Sequence, residues 1–168
     1  MIEANIHQRT LGARARRASR RRVKSLPALK AGLLAGAVAL FLLQFFGVVV
    51  YDESPWKLMR MIAAMVRGPG ALEPDDEFDG ELAAIALPLF FALAVLYSLA
   101  LSALVSDAPR RYGALVGIAF GVGVYLANFF GFTTIFPWLA SHRTVDTLVV
   151  YAIFGLLIAK SYWLFRRR

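Results

Sequence analysis

Four stretches of this chain are apolar, long and almost free of charge, and that limits the available folds more than any other feature. A helix rises 1.5 Å per residue, so about 20 apolar residues cross about 30 Å of hydrocarbon. Residues 31–51, AGLLAGAVALFLLQFFGVVVY, satisfy this requirement first. Residues 82–105 follow, with Pro88 placed to bend the helix because proline removes a backbone donor. The uncharged run from 112 to 140 would reach about 43 Å as one helix, which overshoots a bilayer. It should therefore break near NFFGFTTIFPW, around Gly131 or Pro137, leaving a span of 112–134. The fourth span is 145–165, where Lys160 lies near enough to the end to snorkel and Tyr162 and Trp163 suit an interfacial aromatic belt. A hydrophobic content of 59% and a mean hydropathy of +0.61 over 168 residues agree, since a water-soluble domain of this size needs a more polar surface.

Charge sets the orientation. Residues 1–30 carry 9 Lys or Arg against 1 Glu, whereas residues 51–81 carry 3 basic and 8 acidic side chains. Positive segments stay in the cytoplasm. The loop SDAPRR, with Arg110 and Arg111, and the terminal FRRR belong on that same side. The expectation is an all-α membrane protein: a four-transmembrane-helix bundle in the bacterial inner membrane, both termini cytoplasmic, with one short interfacial helix in the first extracytoplasmic loop. Residues 1–30 form a basic cytoplasmic tail, 31–165 the transmembrane domain, and 166–168 a cytoplasmic end.

The tail, ARARRASRRRVKS, loosely echoes an export signal. Its apolar continuation is of full spanning length, lacks an A-x-A site, and leads to three more spans, so an uncleaved, disordered tail is expected. Its arginines fit anionic lipid headgroups at roughly 1 kcal/mol per basic residue. No folded reading module or aromatic platform accompanies them, so nucleic acid is not the expected partner.

The segment ESPWKLMRMIAAMVRGPG, 53–70, is too short to span. Ser54 is placed to cap a helix and Pro55 to occupy its first position, while Gly68 supplies a stop, giving a helix of about 55–67. Lys57, Arg60, Ala64 and Arg67 recur at helical spacing as a narrow polar stripe, with Trp56, Met59, Ile62, Ala63 and Val66 facing away. The helix should lie at the interface, its basic edge toward water or phosphates.

In the third span Gly113, Gly117 and Gly121 recur every four residues, and Gly123 and Gly131 continue a neighbouring ridge through Ala119 and Ala127. Gly32 and Gly36 form a similar pair in the first span. Such ridges let helix backbones approach closely, either within this bundle or between copies of the chain. Counting depth places Gln44, Asn128 and Tyr151 at one level, with His142 and Asp146 near the mouth. These polar groups form either an interhelical hydrogen-bond layer or a small pocket open to the outside.

Several chemistries are excluded or weak. There is no cysteine, which removes thiolate catalysis and iron–sulfur ligation. No acid or base lies near the midplane of a span, against a proton relay. His7 and His142 fall on opposite sides of the membrane, so they cannot ligate one haem. The acidic run EPDDEFDGE matches no calcium loop, and of Met59, Met61 and Met65 only the last two share a helix face, which suits packing better than copper. No hydrolase, zincin or phosphate-loop motif occurs. Neither catalytic residues nor a cofactor are expected.

The segments S-P-W…R-M-I-A-A-M-V…G-P and N-F-x-G-F-T-x-x-F-P-W resemble those of small four-span bacterial inner-membrane proteins that genomes often label sodium:proline symporter. The layout is also similar to that of the YagU-like family. The resemblance implies a role in tolerating acid stress and supplies no catalytic residues; the chain has neither the length nor the repeats of a sodium-coupled carrier. The function expected is that of a non-enzymatic membrane protein acting by packing or through a partner, in envelope stress. The other reading is a protomer of a small oligomeric transporter or channel, its path lined by Gln44, Asn128 and the glycine-rich third helix.

Overall fold

The computed structural model describes residues 25–74, 76–107 and 109–167. The basic segment before Ser25 and Asp75 of the acidic run lie outside the described residues. Four helices are long and apolar enough to cross a membrane, and no strand occurs among the described residues. The chain is a multi-pass, all-α membrane protein. The spanning helices are α1 (Ser25–Val50), α3 (Gly80–Asp107), α4 (Gly113–Leu126) and α5 (Val145–Arg167); the short helix α2 (Lys57–Arg67) lies between the first two.

α1 starts six residues earlier than its apolar run because Pro27 falls in the first turn, where a missing N–H costs nothing. Its buried face is a row of small residues, Ala28, Ala31, Gly32, Ala35, Gly36 and Ala39, at three- and four-residue spacing. That row brings α1 against α3. A Cβ on Gly32 would stand 2.8 Å from Ser98 Cβ and 2.9 Å from Val95 Cα, and one on Gly36 would stand 2.9 Å from Ala94 Cβ. Ser98 Oγ donates to the Ala28 carbonyl at 2.7 Å, satisfying a hydroxyl that would otherwise be stranded in hydrocarbon.

The α4–α5 seam is closer still. A Cβ on Gly117 would lie 2.6 Å from the Gly155 carbonyl oxygen, one on Gly121 2.0 Å from the Tyr151 oxygen, and one on Gly155 2.0 Å from the Gly117 oxygen. Gly113 meets only ordinary van der Waals neighbours, the nearest being Trp163 Nε1 at 3.6 Å. Gly123 and Gly131 have nothing within 4 Å of their Cβ positions, so the second ridge expected in this span makes no close approach. α1 also packs on α5, and the core between them includes Val150, Phe154, Ile158 and Tyr162. The remaining seam, α3 against α4, is open by comparison.

The third span loses α geometry at Ala127. A π-turn covers Ala127–Gly131, a 3-10 turn covers Phe132–Thr134, and Pro137–His142 forms another before α5. The chain can thus turn back without extending one rigid helix past the bilayer.

α2 begins two residues later than expected. Ser54 Oγ accepts from the Trp56 N–H at 3.2 Å, and the helix ends at Gly68, whose φ of 88° is strained for any other residue. It also sits differently from the expected surface helix, tucked into one end of the bundle. Met61 packs with Tyr125, Phe129 and Leu139, while Ile62, Ala63 and Ala64 pack with Ala71, Leu82 and Ala86. Met59 flanks the latter group, and Trp56 packs on Phe78 with ring centroids 4.7 Å apart. The polar stripe is therefore split. Arg67 is exposed and Lys57 half-buried, whereas Ala64 is buried and Arg60 is only 5% exposed; Val66, expected to face away from the stripe, is exposed. The loop after Gly68 folds back over Arg60, which donates from Nη2 to the Glu77 carbonyl at 2.9 Å and from Nη1 to the Ala71 carbonyl at 3.4 Å. Arg67 pairs with Glu81, and Trp138 Nε1 donates to the Met61 carbonyl at 3.2 Å.

The glycine contacts can be tested by substitution. Gly121→Leu would force α4 off α5 and should cost about 3 kcal/mol or more. Gly131→Leu, which projects into open space, should stay within about 0.5 kcal/mol. Unfolding in mixed micelles, followed by tryptophan fluorescence, reads both; equal midpoints for the two variants would contradict the close α4–α5 contact.

Candidate functional site

The open α3–α4 seam is a cavity of about 810 Å³, within the range of small-molecule sites. Its size follows from the residues that face it. Ala100 on α3 and Gly123 and Ala127 on the third span are small and exposed, so neither helix fills the gap. Phe120, Phe129 and Phe154 line its walls, and Leu96, 59% exposed, stands at its lateral opening. Leu58, Met61, Ile62 and Met65 of α2 close the end beneath that helix.

Three polar side chains interrupt this apolar wall. Asn128 lies two turns beyond Gly121, on the face that packs against α5, and sits within the π-turn. Its amide Nδ2 donates to Tyr151 Oη at 3.1 Å, and its Oδ1 accepts from Tyr97 Oη at 2.9 Å. Tyr97 reaches from α3 across the open seam. The structure thus brings Asn128 and Tyr151 together and adds Tyr97. Gln44 is elsewhere: its amide donates to the Pro55 carbonyl and anchors the chain entering α2.

A second polar group lies at the end covered by α2, around a small cavity of about 50 Å³. Tyr51 donates to Asp146 Oδ1 at 2.7 Å, and Thr144 Oγ1 donates to Asp146 Oδ2 at 3.1 Å. Glu53 Oε1 pairs with Lys57 at 2.8 Å, and Glu53 Oε2 lies 3.9 Å from His142 Nε2. The hydrogen bond to the Asp146 carboxylate raises the Tyr51 phenol above its ordinary value. Burial lowers His142 below the ordinary imidazole value; the Glu53 carboxylate pulls the other way and the Lys57 ammonium reinforces the lowering. His142 also reaches the wall of the large cavity, so it stands between the two spaces. Ser141 Oγ is 3.1 Å from His142 Nδ1, yet it donates to the Trp138 carbonyl at 2.8 Å. Its proton is not directed at the imidazole as nucleophilic catalysis requires. Among the described residues no three His, Asp or Glu side chains converge to hold a metal ion.

Sequence reasoning missed Tyr97, Tyr51 and Arg143. Tyr97 carried a signal, as a phenol within an apolar span that needs a partner. The pairing of Tyr51 with Asp146 carried none, because 95 residues separate them. Arg143 donates from Nε to the Phe129 carbonyl at 2.6 Å and from Nη2 to Thr133 Oγ1 at 2.8 Å, with its guanidinium over the Phe130 ring. No family model, no curated protein and no solved structure matches the chain.

The lowered His142 sets the sign of a pH effect. As pH falls through 6.5, the unfolded chain takes up a proton on this imidazole while the folded chain does not until lower pH. Stability should therefore decline from pH 7 toward pH 5, and His142→Gln should flatten that part of the profile. Unfolding midpoints of both proteins across this range test it; a wild-type midpoint that rises relative to the variant on acidification would show that the attraction to Glu53 dominates instead.

Proposed function

We propose that this chain is a non-enzymatic protein of the bacterial inner membrane, with both termini cytoplasmic, that acts by binding a partner in the plane of the bilayer. The observation that carries this reading is the open α3–α4 seam, an apolar cavity facing sideways within a bundle whose other principal seams are closed. A binding cleft needs such an opening; a bundle that served only to span would close it. The envelope-stress setting draws support from the resemblance to acid-tolerance proteins and from the titratable groups Glu53, His142 and Asp146 at one end.

The residues expected to line a conduit are engaged otherwise. Asn128 bonds two phenols, Gln44 a backbone carbonyl, and Gly117 and Gly121 lie against α5. That favours binding over transport by an oligomer. The charge asymmetry between the 51–81 loop and the other loops supports the orientation.

Because the chain lacks cysteine, single-cysteine labelling is clean. Asp76→Cys should react with a membrane-impermeant maleimide added to intact spheroplasts, and Arg111→Cys only after lysis; the reverse pattern would invert the topology. Purified protein in liposomes should pass ions and small solutes no faster than empty liposomes do, and a flux above that background would sink the binding reading.

A further inference from the structure

We infer that the α3–α4 cavity holds a membrane phospholipid, with an acyl chain in the apolar slot and its ester carbonyl against Asn128 and Tyr151. This inference rests on the binding function proposed above and names the occupant. The cavity opens sideways between two spanning helices, where the surrounding medium is hydrocarbon, and α2 closes the end beneath it. An apolar cavity of about 810 Å³ offers water few hydrogen bonds, whereas the neighbouring acyl chains are chemically matched and present at bulk concentration.

The direction of the hydrogen bonds points to a ligand that accepts. Tyr97 donates to Asn128, and Asn128 donates one of its two amide hydrogens to Tyr151. The other amide hydrogen and the Tyr151 hydroxyl hydrogen then have no acceptor among the described residues. Two donors without an acceptor in hydrocarbon call for a ligand that accepts and does not donate. An ester carbonyl has that character. The hydroxyl of a fatty alcohol would satisfy it less well.

Charge near the cavity agrees. Arg143 is exposed and braced on the Phe129 carbonyl and Thr133 Oγ1, and both Phe129 and Phe132 line the cavity. Its remaining N–H groups have no acceptor among the described residues, and a guanidinium suits a phosphodiester. A lipid with its carbonyl at Asn128 and Tyr151 carries that anion a few bonds away.

The full chain, extracted in mild detergent and washed until bulk lipid is gone, should retain phospholipid in stoichiometric amount by mass spectrometry. The double variant Gly123→Leu/Ala127→Leu projects side chains into the slot from positions that are exposed in the fold. It should lower retention about tenfold with an unchanged unfolding midpoint. Should that variant fold poorly, Tyr151→Phe removes only a hydroxyl and Arg143→Gln only a charge, and each should lower retention. Retention equal to wild type in the well-folded variants would overturn the inference, and so would recovery of a prenylated quinone in place of phospholipid. A photoreactive group at Leu96 distinguishes the identity of the occupant from the binding function itself. Cross-linking to lipid supports the phospholipid; cross-linking to a second protein without retained phospholipid overturns the occupant but leaves the binding function standing. Neither product would sink both.

Discussion

Backbone-to-backbone contact between α4 and α5 governs the rest of the bundle. Gly117, Gly121 and Gly155 bring carbonyl oxygens to where side chains would otherwise stand. In lipid there is no hydrophobic force between helices, so dispersion across so short a gap is a principal source of attraction. α1 and α3 associate by the same means through Gly32, Gly36 and a row of alanines. Each tight pair draws its helices together, and contact between α1 and α5 joins the pairs. The side chains left facing the α3–α4 gap, among them Leu96, Tyr97 and Phe120 beside the small Ala100, Gly123 and Ala127, do not close it. The cavity is thus the geometric consequence of close packing elsewhere.

The end of the bundle beneath α2 has a different physical basis. α2 is short and carries three basic residues, Lys57, Arg60 and Arg67, so packing of apolar side chains alone would not hold it. Arg60 secures it by donating to carbonyls of the following loop, and charge-assisted bonds of this kind are worth about 1.5–3 kcal/mol each. Gln44, Trp138 and Arg67 add ties to the preceding segment, to the stretch before α5, and to α3. The helix that roofs the cavity is therefore fastened through polar bonds on several sides, while the seam between α3 and α4 stays open.

Reading from sequence succeeded where one physical requirement dominated locally. Spanning length located the four helices. The four-residue glycine period also contained the α4–α5 contact, although the partner face at Gly155, Ala152 and Ala159 was not recognised. The same rule could not tell Gly123 and Ala127, which line the open seam of this bundle, from Gly117 and Gly121, which close one. The stripe on α2 failed for a related reason: helical spacing put Arg60 beside Lys57 and Arg67, while the carbonyls of Ala71 and Glu77, 11 and 17 residues onward, cover it alone.

The sequence by itself determined that the chain crosses a bilayer four times, because each apolar run must bury its backbone hydrogen bonds in helices wherever water is absent. It also determined that Asn128 and Tyr151 require partners, since a polar side chain in hydrocarbon is costly alone. Only the tertiary structure decided that those partners include Tyr97 but not Gln44, and that one small-residue ridge closes a seam while its neighbour leaves one open. Helical periodicity ranks the faces of a single helix; which face meets which neighbour depends on how all the helices pack at once.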